Sequence, residues 1–154
     1  MSSRIKIVET ELGTFTKELL EALPQCTGAT VLALSGDLGA GKTTLVQKLA
    51  NTMGVTEVVS SPTFVLQKIY DTTHKRFTTL VHIDLYRLEN PQEIAVLQLE
   101  EWAKDPDTLL CVEWPERVVT WPERLCVHPV QLTAITPTQH EIFLKDLLLP
   151  SYES

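Results

Sequence analysis

Gly36, Gly39, Gly41, Lys42 and Thr43 fall within one short stretch, Gly36-Asp-Leu-Gly-Ala-Gly-Lys-Thr-Thr44, at the G-x-x-x-x-G-K-[ST] spacing of a phosphate-binding loop. Three glycines let the backbone turn tightly and bring its N–H groups up to phosphate oxygens with no side chain in the way. Lys42 adds a mobile positive charge for β- and γ-phosphates, and the Thr43 hydroxyl is of the type that takes Mg²⁺. Asp37, Ala40 and Thr44 complete the segment, which we read as the binding site of a nucleoside triphosphate. A glycine-rich turn that merely ends in a lysine is the bland alternative. The flanking sequence decides against it.

Before the loop, Val31–Leu34 is a continuous apolar run of the kind that forms a buried strand. After it, Leu45, Val46, Leu49, Ala50 and Met53 share one face of a helix over 42–53, with Gly54 placed to close it in a left-handed conformation. Free N–H groups at that helix start, with the positive end of its dipole, favour the same anion as the glycines. A short strand at Ile5–Val8 leads to a first helix near Glu11–Leu23, capped by Thr10 and stopped by Pro24. Ser60-Ser61-Pro62-Thr63 is a turn-rich loop. Phe64–Tyr70 and Phe77–Asp84 read as strands paired through Asp71–Arg76. Asn90-Pro91 is a helix start, and Ile94, Ala95, Val96, Leu97, Leu99 and Trp102 give that helix a broad apolar face. Leu109–Val112 is a second apolar strand, and Leu125–Ala134 with Glu141–Leu149 form a terminal antiparallel pair around Thr136-Pro137-Thr138. Trp-Pro-Glu-Arg occurs at 114–117 and 121–124 without a third copy, which excludes a repeat array. The expected architecture is one α/β domain over residues 1–154, a P-loop NTPase-like three-layer fold. Its sheet is mixed, parallel around the P-loop strand with antiparallel hairpins at the edge.

A triphosphate site also needs an acid for the metal and a group to orient the attacking oxygen. Glu113 follows Leu109–Val112 as an acid at the end of an apolar strand, the Walker B pattern, although Asp is the usual residue there. Asp84 ends the run Leu80–Ile83, which His82 interrupts. Each acid is either part of the site or an ordinary strand-end carboxylate. Thr63 stands where a γ-phosphate sensor is expected, or else satisfies its own turn. His82 is read as packed or hydrogen-bonded ahead of catalytic. Arg87 either contacts phosphate or a partner, or pairs at the surface. Trp114 and Trp121, both next to prolines, are lids on the core or anchors for a partner. The candidate catalytic set is therefore Asp84, Glu113 and Thr63, with Thr43 and Glu113 as the metal residues.

Composition narrows the function. A net charge of −7, with Lys75-Arg76 the only adjacent basic pair, disfavours direct nucleic-acid binding and is easier to reconcile with a protein partner. No apolar stretch approaches the ~18 residues of a membrane span, and Met1-Ser-Ser-Arg-Ile-Lys lacks an apolar signal core, so a cytoplasmic protein without membrane contact is expected. Cys26, Cys111 and Cys126 lack C-x-x-C spacing. They are read as buried or free thiols in a reducing compartment, with no disulfide frame or zinc site.

Four segments together, Gly36–Thr44, Ser61-Pro-Thr-Phe64, His82-Ile-Asp-Leu-Tyr-Arg-Leu88 and Val112-Glu-Trp-Pro-Glu116, resemble the TsaE (YjeE) family in order and approximate spacing. This is the bacterial P-loop ATPase family of tRNA threonylcarbamoyladenosine (t6A) biosynthesis. The resemblance implies an ATPase that uses ATP and Mg²⁺, is weak alone, and acts on a complex of a TsaD-type transferase and a TsaB-type subunit. The tRNA would be held by that complex, so this chain would meet it only indirectly. The resemblance further implies Mg²⁺ service by Thr43 and Glu113, a need for Asp84, and a nucleotide-responsive switch at Ser61–Phe64. It places an adenine contact near the first helix, for which the sequence offers Thr10 or Glu11.

Other functions fit less well. A small-molecule kinase needs an arginine-bearing lid, and five arginines are scattered through this chain. A GTPase would carry Asn-Lys-x-Asp, which is absent. A nucleotide-dependent binding module that does not hydrolyse remains open at this level, because no base for the attacking water stands out.

Overall fold

The computed structural model describes residues 2–62 and 65–152. Seven strands form a single sheet: β1 Ser3–Val8, β2 Thr30–Ser35, β3 Gln67–Asp71, β4 Thr79–Asp84, β5 Thr108–Glu113, β6 Cys126–Ala134 and β7 Gln139–Leu144. Their spatial order is β1-β7-β6-β2-β5-β4-β3. The centre is parallel, with β2 between β5 and β6 and β4 beyond β5. Antiparallel ribbons stand on both flanks, β1–β7–β6 on one side and β3–β4 on the other. This is the mixed-sheet P-loop NTPase-like fold that the sequence leads one to expect.

Strand position explains strand composition. The central β2 and β5 are covered on both faces, so they read as unbroken apolar runs with Val31, Leu32, Leu34, Leu109 and Leu110 fully buried. The edge strand β1 instead alternates, burying Ile5 and Ile7 while Arg4 and Lys6 face solvent.

Two helices, α1 (Leu12–Ala22) and α2 (Lys42–Thr52), pack on one face of the sheet, and a core of Phe15, Leu19, Leu45 and Leu49 against Leu32, Leu34 and Leu109 joins them to it. The other face is covered by an irregular layer in which Leu97, Leu99, Val118 and Leu125 meet Val31, Val81, Ile83 and Val112. Gly54 has φ +82, and a Cβ there would sit 1.9 Å from Thr73 Oγ1, so the left-handed close of α2 admits only glycine without rearrangement.

Several local expectations change. Thr10 does not cap the first helix. It lies in a 3-10 turn, Glu9–Glu11, and the Glu11 carboxylate accepts the Val8 N–H instead. The Asn90 cap is present, with Oδ1 accepting from Gln92 N at 3.0 Å. What it starts, however, is a 3-10 helix, Pro91–Leu97, that breaks at Gln98 (φ 54) before a single turn of α-helix, α3 (Leu99–Trp102). Leu97 and Leu99 reach the core, whereas Val96 is 64% exposed, so the broad apolar face does not form.

The cysteine reading also needs correction. Cys26 and Cys126 form a disulfide that closes a loop of sequence separation 100, and Cys111 alone is a free, buried thiol. Pairing of β2 with β6 sets Thr30 opposite Cys126, which brings the chain just before Thr30 alongside Cys126. Burial, with the Glu113 carboxylate nearby, pushes the Cys111 thiol pKa up and leaves it inert. No helix among the described residues is long and apolar enough to cross a membrane.

Candidate functional site

Three parallel strands deliver the site. In an open α/β sheet, ligands bind beyond the carboxyl ends of the strands, and here β2 runs into the glycine loop, β5 ends at Glu113 and β4 ends at Asp84. The register sets Leu34 beside Glu113 and Glu113 beside Asp84, so both acids lie level with the start of the loop.

The loop is shaped as its glycines require. Gly36, Gly39 and Gly41 have φ of +148, +81 and +103. A Cβ on Gly36 would approach Leu132 O to 2.5 Å, because the loop begins against β6. Gly41 is the N-cap of α2, and its Cα faces the His140 ring, with a built Cβ 3.3 Å from Cε1. Ala40 is buried and its N–H bonds Asp37 O at 3.0 Å. Asp37 therefore serves through its carbonyl, while its side chain stands at an exposed position. Lys42 is only 5% exposed and curls over the loop, donating to Gly36 O and to Asp37 O at 3.0 Å. The Trp114 ring covers its ammonium at 4.3 Å, and Tyr86 packs on Trp114 with ring centroids 5.2 Å apart.

Thr43, in the first turn of α2, donates to both oxygens of Glu113 at 3.0 Å each. The Glu113 carboxylate is almost wholly buried, and its second partner is His82, whose Nε2 lies 2.5 Å from Oε2. Asp84 accepts from Ser61 Oγ at 3.1 Å and from Tyr86 N at 3.0 Å, so it braces the Ser61-Pro62 loop and the turn after β4. Thr63 lies outside the described residues.

These groups line a cavity of about 600 Å³, within the range of small-molecule sites. Gly39, Gly41, Lys42, Thr43 and Thr44 form one wall, Ser61, Asp84 and Arg87 another, and Glu113 and Trp114 the floor between them. A hydroxyl and a buried carboxylate, held together beside an anion cradle, are hard oxygen donors suited to Mg²⁺. Among the described residues no cluster of three or more His, Cys, Asp or Glu side chains that could hold a metal exists.

Sequence reasoning missed part of this wall. Glu9, not Thr10 or Glu11, is the residue of the N-terminal segment that reaches the cavity. Pro137 and His140 arrive from the β6–β7 ribbon, and nothing in their local sequence marks them, because the sheet order brings them there. Trp114 carried a signal in its position next to Glu113. Its left-handed backbone (φ 59) is an uncommon conformation for a bulky residue and turns the ring over the loop.

Residues 9–141 match the family "Threonylcarbamoyl adenosine biosynthesis protein TsaE". A Nostoc protein named tRNA threonylcarbamoyladenosine biosynthesis protein TsaE is 46% identical over 95 residues, covering 60% of this chain and 56% of that protein. A Synechocystis protein of the same name is 41% identical over 105 residues, covering 66% and 62%. This chain thus spans less than two thirds of either relative. A crystal structure of YdiB from Bacillus subtilis superposes with a TM-score of 0.63 at 25% identity, over 99% of this chain and 90% of that one.

Proposed function

The chain belongs to the TsaE family, and from that premise we propose that it is a Mg²⁺-dependent ATPase serving tRNA threonylcarbamoyladenosine biosynthesis. It acts on a complex of TsaB-type and TsaD-type proteins, with tRNA met only through that complex. The observation that carries the reading is the Thr43–Glu113 contact, 3.0 Å to both carboxylate oxygens at the mouth of the glycine loop.

Each residue then has a task. The loop amides of residues 36–44 and the free N–H groups of the first turn of α2 grip the β-phosphate. Lys42, already folded over the loop, supplies the positive charge along the phosphates. Thr43 and Glu113 hold the metal, which when bound neutralises charge building on the phosphate oxygens. Asp84 holds the Ser61-Pro62 loop against the cavity, and Thr63, outside the described residues, is assigned to the γ-phosphate end from its place in the sequence alone. The apolar residues Leu38 and Val65 are exposed and line the same cavity, together with the exposed Tyr86, an arrangement that favours a protein partner over nucleic acid. The net charge of −7 supports the same choice.

Calorimetry with Mg-ATP, followed by phosphate release with and without a TsaB–TsaD-type pair, tests the proposal. We expect saturable binding that Lys42→Ala weakens, slow turnover alone and stimulation by the pair. Absence of binding at saturating Mg-ATP overturns the nucleotide reading. Phosphorylation of a small acceptor far faster than hydrolysis replaces the ATPase with a kinase.

A further inference from the structure

One buried polar group has no task in that account. His82 is fully buried on β4, among the apolar Leu80, Val81 and Ile83 of that strand. An imidazole in such a place loses its hydration, and an apolar side chain would fill the volume without that cost unless the ring makes a bond that matters. It makes one: Nε2 to Glu113 Oε2 at 2.5 Å. Among the described residues its other nitrogen, Nδ1, is buried with no hydrogen-bond partner. With Nε2 donating to a carboxylate, Nδ1 is left as a bare acceptor, which fits the Nε2–H form of the ring.

The sheet places this bond beneath the site. His82 is level with Cys111 and Leu32, one layer below Asp84, Glu113 and Leu34 on the same face. From there the ring reaches up to the back of the carboxylate whose front meets Thr43. The Thr43 hydroxyl is equidistant from both oxygens, so it does not distinguish them and resists rotation of the carboxylate poorly. The bond to Oε2 removes that freedom.

We propose that His82 is a positioning residue for the metal end of the site. It fixes the Glu113 carboxylate in the orientation that faces Thr43, and touches neither nucleotide nor metal itself. This rests on the Mg-nucleotide reading of Thr43 and Glu113. Groups that orient a metal-binding side chain typically change metal affinity by about 10–100-fold.

The test measures Mn²⁺ affinity of the protein–ATP complex by electron paramagnetic resonance, together with ATP affinity in EDTA, for wild type, His82→Phe and His82→Gln. H82F keeps a flat ring, somewhat larger than imidazole, and removes the donor, whereas H82Q keeps a donor near the position of Nε2. H82F is expected to lose at least about tenfold in Mn²⁺ affinity while its ATP affinity in EDTA is retained, and H82Q is expected to restore most of the loss. Wild-type Mn²⁺ affinity in H82F overturns the proposal. So does a parallel fall of EDTA-state affinity and melting temperature in both variants, the mark of a packing role. If H82F does not fold, H82Q alone decides, and an order-of-magnitude loss in it refutes the donor role. A wild type that binds ATP no better with metal than without sinks the metal role of Thr43 and Glu113, and the role of His82 with it, whereas a wild type that binds no ATP in either state sinks the nucleotide reading itself.

Discussion

Replacing Glu113 with glutamine separates the charge of this residue from its place in the structure. The carboxylate is 3% exposed and is held by Thr43 at 3.0 Å and His82 at 2.5 Å. In Glu113→Gln the amide oxygen can keep the His82 bond while the NH₂ group turns to the Thr43 oxygen, which accepts. Both neighbours stay partnered, and two charge-assisted bonds become neutral ones. That costs about 1 kcal/mol, or about 2–4 °C in Tm for a chain of this size. Glu113→Ala is different. It leaves Thr43 and His82 without their acceptor at about 1–3 kcal/mol each, so its Tm falls by at least about 4 °C. If the charge serves the metal, Glu113→Gln lowers Mg²⁺-dependent turnover by about 10²-fold or more, while ATP binding in chelator stays near wild type. The assay is phosphate release at saturating ATP with Mg²⁺ titrated, run beside a thermal melt. Wild-type turnover in Glu113→Gln, or a loss that follows Tm with no shift in the Mg²⁺ midpoint, refutes the reasoning and returns Glu113 to a structural acid.

Three further outcomes are expected. Replacing Cys26 and Cys126 by serine opens a loop of sequence separation 100, which lowers stability by about 4–5 kcal/mol and Tm by about 8–20 °C. Nucleotide affinity is unchanged, because the bond joins the end of the sheet opposite the glycine loop; a melt with and without reductant checks the first part and calorimetry the second. His74 Nδ1 accepts the N–H groups of Arg76 and Phe77 at 3.1 Å, and burial, then the Arg76 charge, lowers its pKa below the usual 6.5. The unfolded chain therefore binds this proton more readily, so the contribution of His74 is present above about pH 6.5 and is lost as pH falls through the lower folded value. Urea unfolding at pH 7.5 and 5.5 should show that slope in wild type and less of it in His74→Asn. Trp114→Ala removes a ring 4.3 Å from the Lys42 ammonium, a contact of about 0.5–2 kcal/mol. ATP affinity should drop by no more than about 30-fold by that measure, while stimulation by the TsaB–TsaD-type pair is lost, and equal loss of both speaks against an anchor role.

What could be read from the sequence was whatever the chain writes contiguously. The glycine loop, the strand before it and the helix after it are local, and the central strands announce themselves because burial on both faces demands apolar runs. Glu113 and Asp84 were legible for the same reason, as acids at the ends of such runs. Contacts made by sheet order were not. His82 could be seen to break an apolar strand and was read as packed or hydrogen-bonded, but its partner depends on the register of β4 against β5. His140 and the disulfide both depend on β6 lying beside β2, a neighbour 100 residues distant in the chain. The segment after Asn90 shows a different limit. Its cap was read correctly, yet of the predicted apolar face Leu97 and Leu99 are buried, Ile94 and Trp102 are only partly so, and the left-handed Gln98 cuts short the helix the periodicity promised.

The charge of the cavity bears on the metal proposed for it. Among the residues that line it, Glu9, Asp84, Glu93 and Glu113 face only two cationic side chains, Lys42 and Arg87. A triphosphate alone would enter a site already rich in negative charge, and two like charges even 4 Å apart repel by about 4 kcal/mol at an effective dielectric of 20. The loop amides and Lys42 offset this at the β-phosphate, but Glu113 lies at the phosphate end, against Thr43, where no second lysine or arginine donates to it. A divalent cation held by Glu113 and Thr43, as proposed, would turn that repulsion into attraction. On that proposal the same carboxylate that opposes a bare triphosphate would favour its magnesium complex, and the site would discriminate for metal-loaded nucleotide by its own charge. Glu113→Gln accordingly has opposite effects on the two forms: it weakens binding of Mg-ATP and leaves metal-free ATP bound as well as, or better than, in wild type.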